Sequence, residues 1–325
     1  MKKSKLAGGV ISVLAAVLLI YLVLSSAGID EVWDSLKSIN CWWIAISVVL
    51  YTLDQGLESK RWSYILKDNS LNVGIKDAFF AFNLGNSINI IVPAKLGDVA
   101  RSYYLKKEKG YGYSRTLPST FIDRFFDVIG VYVVTLLASI YVVSAVKLPT
   151  WFFTLMIAGI AALLAAFIAI GMFLKNKDFA RRIKQEKLRG FMESLIEVLE
   201  GSIKHKGKFM LLTLMSVAIW TLEGIVSYTI ILSLGINMNP IIILFVSMIA
   251  TLTKVIPITP GGIGVFEGAM AVLLMVFGVG TSNAAVIATV NHLIMNLYTL
   301  VIGVYVIIVK GISISKIKYE KVDET

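Results

Sequence analysis

Lys254–Gly268, KVIPITPGGIGVFEG, sets two prolines, four glycines, a lysine and a glutamate between two runs apolar enough to lie in a bilayer. An ordinary spanning helix does not hold such a stretch. Pro257 and Pro260 each remove a backbone donor, and Gly261, Gly262, Gly264 and Gly268 loosen the chain where a lipid-facing helix needs every polar group satisfied internally. Broken backbone at membrane depth is tolerated where protein buries it or where it lines a wet cavity. In secondary transporters such half-helix ends near the midplane hold the substrate. The plain alternative is a polar loop between two short spans. Against it stands a second, weaker break, IIVPAKLGDVAR (Ile90–Arg101), where Pro93 again precedes a glycine, Gly97, by four residues.

Working outward, 57% of the 325 residues are hydrophobic and 16% charged, with a mean hydropathy of +0.79. That places the chain outside soluble domains and predicts an all-α, polytopic integral membrane protein. The net charge of +10 resides in segments between apolar runs, as in cytoplasmic loops facing anionic lipid, so nucleic acid is not an expected partner. Cys41 is the single cysteine, and His205 and His292 are the only histidines. Neither a disulfide framework nor a Cys/His zinc site can be assembled from them, and no metal, cofactor or catalytic constellation is expected.

After the basic start MKKSK, Leu6–Leu24 is too long for a signal-peptide core and is read as an uncleaved first span, with cleavage near Ala27 as the alternative. A second span runs from Cys41, through Trp42 and Trp43 in the aromatic belt, to Lys60, Arg61 and Lys67 at the inner face. There Glu58 is read as an interfacial partner of Lys60 or Arg61, and Arg61 as hydrated. Asn83, Asn86 and Asn89 then line one helical face before the break at Pro93–Gly97. A full span here would carry the basic residues up to Arg115 outside, so a re-entrant hairpin over residues 77–105 is expected, its second limb starting at Gly97-Asp98. Asp123 and Asp127, four apart on one helical face with Arg124 beside them, form an intramembrane charge cluster that must face protein, water or ligand.

Ten Lys or Arg fall between Lys175 and Lys208, where Leu188, Phe191, Met192, Leu195 and Leu199 share a helical stripe. Residues 175–209 are therefore read as a cytoplasmic, basic, amphipathic linker. It divides a membrane half at 1–174 from another at 210–325, whose broken hairpin spans 240–279. Both termini are placed in the cytoplasm of a multi-pass protein of the cell membrane. Glu58 precedes Pro93 by 35 residues and Glu223 precedes Pro257 by 34, while Arg124 and His292 follow these prolines by 31 and 35. With the charge-derived topology, the halves read as two inverted repeats, each with a broken hairpin.

PAKLGDVARSYYLKK, the downstream DRFFD and PITPGGIGVFEGAM together resemble the transmembrane region of lysylphosphatidylglycerol synthase/flippase (MprF-type) proteins over nearly the whole chain. The family patterns Pro-x-x-x-Gly-Glu-x-x-Arg, Glu-Arg-x-x-Asp and Pro-x-Pro-Gly-Gly-x-Gly-x-x-Glu fall on Pro93, Gly97, Asp98 and Arg101, on Asp123, Arg124 and Asp127, and on residues up to Glu267. Asp98 and Asp123 replace Glu, and His292 stands where the family has an arginine in the last span. The resemblance implies translocation of a polar-headgroup lipid. Aminoacyl transfer is not implied, because bifunctional relatives carry it in a separate soluble domain; similar membrane regions are also fused to glycosyltransferases in archaeal proteins.

The site expected is a cavity in which Arg101, Arg124, Lys254 and two helix amino-ends hold a phosphate, while Asp98, Asp123, Asp127 and Glu267 gate it or meet a cationic headgroup and His292 faces it. Pro93, Gly97, Pro257, Pro260, Gly261, Gly262 and Gly264 supply the breaks. The expected partners are membrane lipids: an anionic or aminoacylated phospholipid, or a lipid-linked sugar. A homo-oligomer or a separate transferase stands as protein partner, and the alternative function is a membrane subunit of a lipid-modifying aminoacyl or glycosyl transferase.

Overall fold

A computed structural model describes residues 29–91, 96–145, 150–175, 183–255 and 259–313. The expected first span and the breaking prolines Pro93 and Pro257 lie outside these. The described residues are helical, without strands: α1 Ile29–Lys37, α2 Cys41–Leu66, α3 Ile75–Ile91, α4 Gly97–Lys109, α5 Tyr113–Ala145, α6 Thr150–Lys175, α7 Glu186–Leu199, α8 Lys206–Ser233, α9 Pro240–Leu252, α10 Val265–Val276 and α11 Thr281–Val309. Four helices, within α5, α6, α8 and α11, are long and apolar enough to cross a membrane, and α1 with α2, bent by 79° at their junction, makes a fifth candidate. The chain is thus an all-α, multi-pass membrane protein, as its composition predicts.

Hydrogen bonds between helix ends define two opposite faces of the bundle. On one, Asp68 after α2 meets Ser202 before α8 and Lys208 in its first turn, Asn69 and Arg115 exchange backbone and side-chain bonds of 2.6 and 2.7 Å, and Lys107 of α4 reaches the carbonyls of Lys310 and Gly311 after α11. On the other, the Asn40 amide donates to Ser233 at 2.8 Å, Ser35 lies against Ser282 and Asn283, and Asn239 donates to the Tyr141 hydroxyl at 2.8 Å. Lys106, Lys107, Lys109, Arg115, Lys204, Lys206, Lys208 and Lys310 all fall on or beside the first face. That face is the basic one.

α3 and α4 form a hairpin with both feet there: Asp77, at the start of α3, accepts from Tyr104 at 3.2 Å and pairs with Lys109 at 2.7 Å. At the tip, the Gly97 amide donates to Asn89 at 2.8 Å. At ~1.5 Å per residue neither limb matches the ~30 Å of a hydrocarbon core. α9 and α10 begin and end on the opposite face, because Asn239 precedes α9 and Ser282 follows α10 closely. Their tip, the turn Pro260–Gly262, lies on the end of α3, with Gly261 against Ile90.

α2 packs on α8 at the centre; α3 lies on α11, and α9 on α5. The largest core joins α8, α9, α10 and α11 through Ile230, Phe245, Phe266, Met270 and Ile287, and a second joins Trp62, Phe82 and Tyr104 of α2, α3 and α4. α7 packs in part on its own chain: Ile196, Val198 and Leu199 are buried and Phe191 meets Phe121 of α5 edge-on at 6.2 Å, while Leu188 at its start is exposed.

Candidate functional site

The buried charges of α2, α4 and α5 form one alternating chain. Asp123 and Asp127, one helical turn apart on α5, both face Arg61 of α2, which is 0% exposed. Arg61 donates from Nε to Asp123 at 3.0 Å, from Nη2 to Asp127 at 2.5 Å and from Nη1 to Ser216 of α8 at 2.7 Å. Arg101 of α4 donates to the other oxygen of Asp123 at 3.1 Å and to Asn86 at 3.0 Å, its guanidinium 3.8 Å above the Phe82 ring. Arg124 points away from Asp123 and bridges Asp127 at 3.2 Å and Asp98 at 3.3 Å. Three arginines therefore match three aspartates through charge-assisted, forked bonds, which is how such charges are tolerated in an apolar interior.

Two expectations change here. Arg61 is not a hydrated interfacial residue, because α2 continues past it and α5 and α8 close over it; Arg124, 37% exposed at its side chain, is the more accessible of the two. Glu58 is buried and pairs with neither Lys60 nor Arg61; it accepts from Gln55 at 2.9 Å.

Around the second break, Glu267 accepts from the Gly264 amide at 2.7 Å and meets His292 Nδ1 at 2.8 Å. The His292 ring stacks beside Phe266 at 4.7 Å, and Lys254 Nζ lies 4.7 Å from the same ring and 4.0 Å from Glu223 of α8. The stem of Lys254 crosses Gly262, whose φ of +75° and missing side chain leave the room. Gly264 and Gly97 do not offer free amides as expected, since Glu267 and Asn89 cap them; the polar residues that mark each break in sequence are the ones that close it.

The eight expected site residues thus fall into two groups: Asp98, Arg101, Asp123, Arg124 and Asp127 in one, Lys254, Glu267 and His292 in the other. Between the groups lie carboxylates that sequence reasoning left out of the site, Asp54 and Glu58 on α2 and Glu223 on α8, which act on one another electrostatically. Their signal was available: Asp54 and Glu58 are four apart inside an apolar helix, the pattern already used for Asp123 and Asp127.

The sequence model of the family described as "Lysylphosphatidylglycerol synthase TM region" matches residues 7–303. A UPF0104 membrane protein of Methanothermobacter thermautotrophicus is 25% identical over 95% of both chains. The glycosyltransferase AglD of Haloferax volcanii is 26% identical over 92% of this chain, which spans 53% of that protein's length. The UPF0104 membrane protein MJ1078 of Methanocaldococcus jannaschii is 31% identical over 64% of this chain and 87% of its own.

Proposed function

Since the chain belongs to the lysylphosphatidylglycerol synthase transmembrane-region family, we propose that it moves a polar-headgroup lipid between the leaflets of the membrane. The observation that carries this is the meeting of two short hairpins, open on opposite faces, at tips surrounded by buried charge. Glu58 and Glu223 each stand seventeen residues after the first residue of α2 and α8. Each hairpin's second limb is tied to the following long helix by contacts between ionisable side chains, Arg101 to Asp123 and Asp98 to Arg124 in the first and Glu267 to His292 in the second. These correspondences support two inverted repeats with re-entrant hairpins, the arrangement by which alternating-access transporters expose a midplane site to either side in turn.

On this reading residues 1–174 and 210–325 are the halves, 175–209 links them, and the basic face is cytoplasmic by the positive-inside rule. Cysteine placed at Lys107 is expected to react with a membrane-impermeant maleimide from the cytoplasmic side alone; labelling from outside removes the orientation and the re-entrant first hairpin.

Lys254 and Arg124 are the basic groups proposed to meet the headgroup, since both are partly exposed whereas the side chains of Arg61 and Arg101 are wholly buried. In vesicles holding the purified protein, Lys254→Met is expected to slow translocation of an anionic fluorescent lipid far more than of a zwitterionic one, and Lys254→Arg to recover part of the loss. If Met leaves anionic lipid moving as in the wild type, Lys254 does not meet the headgroup. The match to AglD favours a second reading, in which this membrane region serves a glycosyltransferase and its lipid is a lipid-linked sugar. Wild-type vesicles that move no lipid without an added transferase favour it.

A further inference from the structure

Charge does not balance where α2 crosses α8. Arg61, Arg101 and Arg124 are matched by aspartates, Glu267 is hydrogen-bonded to His292, and Glu223 has Lys254 at 4.0 Å and accepts from Thr251 at 3.1 Å. Asp54 and Glu58, one turn apart on α2 and 1% and 8% exposed, form no ion pair among the described residues. Arg61, a base that acts on Glu58, is already divided between Asp123 and Asp127. Besides those aspartates and Glu223, the groups acting on this place are Arg101 and Arg124, both already bonded to aspartates, Tyr51, bonded to Thr299 of α11, and Lys254 beyond Glu223.

A separate feature points to a ligand. The Gln55 carboxamide, 2% exposed, donates from Nε2 to Asp54 at 3.3 Å and to Glu58 at 2.9 Å. Its Oε1 then points at no donor, and neither does Asp54 Oδ1; both are buried without a hydrogen-bond partner among the described residues. An orphaned buried acceptor of this kind is destabilising unless something donates to it. A metal ion does not answer the need, because no three acidic, His or Cys side chains among the described residues converge closely enough to hold one. A proton needs one oxygen and a neighbouring acceptor. Intramembrane carboxyls of this sort serve proton relays in pumps and transporters.

We propose that Asp54, Glu58 and Glu223 form a proton-binding site, loaded and emptied as lipid crosses, so that a proton gradient drives the movement. The proton is taken from water onto a carboxylate and returned to water on the other side; Glu58 and Glu223, one from each proposed half, are the acceptors between which it passes. The coupling, though not the proton binding, rests on the transport reading.

Two readouts separate these. Infrared difference spectra of the purified protein between acid and alkaline buffer are expected to show the carbonyl stretch of a protonated carboxyl, diminished in Glu58→Gln and Asp54→Asn; a spectrum that the substitutions leave unchanged overturns the site. In vesicles, an imposed pH gradient is expected to accelerate fluorescent-lipid translocation several-fold, an effect abolished by a proton ionophore and lost in Glu58→Gln and Glu223→Gln, while a sodium gradient has no effect. Translocation indifferent to the pH gradient, or driven by sodium, overturns the coupling and leaves the transport reading standing. Absence of lipid movement under every condition removes the transport reading and the coupling with it, while the infrared band still decides proton binding.

Discussion

Arg61→Ala is expected to destabilise the protein by about 3–5 kcal/mol, the cost of leaving buried carboxylates without their cation. Asp123 and Asp127 share this one guanidinium, and none of the three side chains is more than 10% exposed. Arg124→Ala is expected to cost about 1 kcal/mol or less, because its side chain is 37% exposed and water replaces what the substitution removes. Arg61→Lys should fall between them: it keeps the charge but loses the fork that serves both aspartates and Ser216. Thermal unfolding in detergent, followed by the fluorescence of the buried Trp62 region, orders the three variants. Equal shifts for Arg61→Ala and Arg124→Ala would show that the charged chain does not hold α2, α5 and α8 together.

Gly97→Ala is expected to part the limbs of the first hairpin. A Cβ at Gly97 would fall onto the Gly85 carbonyl oxygen and the Asn89 side chain, and one at Gly85 onto Arg101 and the Gly97 carbonyl. Backbone meets backbone there, so no flexible side chain can yield, and the overpacking cost of ~1–3 kcal/mol comes with loss of the Gly97–Asn89 bond. Because Arg101 emerges one turn further along α4, the displacement also draws it from Asp123, and translocation in vesicles should fall with stability. Gly56→Ala on α2 is the control: a Cβ there meets nothing within 4 Å, and the substitution should leave stability unchanged or raise it by up to ~1 kcal/mol. Should Gly97→Ala behave like Gly56→Ala, the close approach of α3 and α4 is not what holds the tip.

The class of the protein was legible in the sequence because bilayer solvation acts on every residue at once. Long apolar runs, sparse charge and basic segments between them admit only helices at membrane depth, and the matched family and the described helices agree with that reading. Local spacing went further where partners are close along the chain: Asp123 and Asp127 share a face because they are one turn apart, and Asn89 reaches Gly97 across a single break. What local spacing does not carry is the identity of a partner from another helix. Arg61 lies 62 residues before Asp123, and nothing periodic in α2 tells that α5 and α8 close over it; by position alone it looked like the hydrated end of a span. Glu58 and Glu223 can each be picked out by spacing, but they become a group only because α2 and α8 pack together. The sequence by itself determined a helical membrane protein with two breaks and an interior that holds charge. Which charges neutralise one another, and which are left over, was decided by the packing of distant helices, because an ion pair in a low-dielectric interior depends on a few ångströms of separation that only the tertiary structure sets.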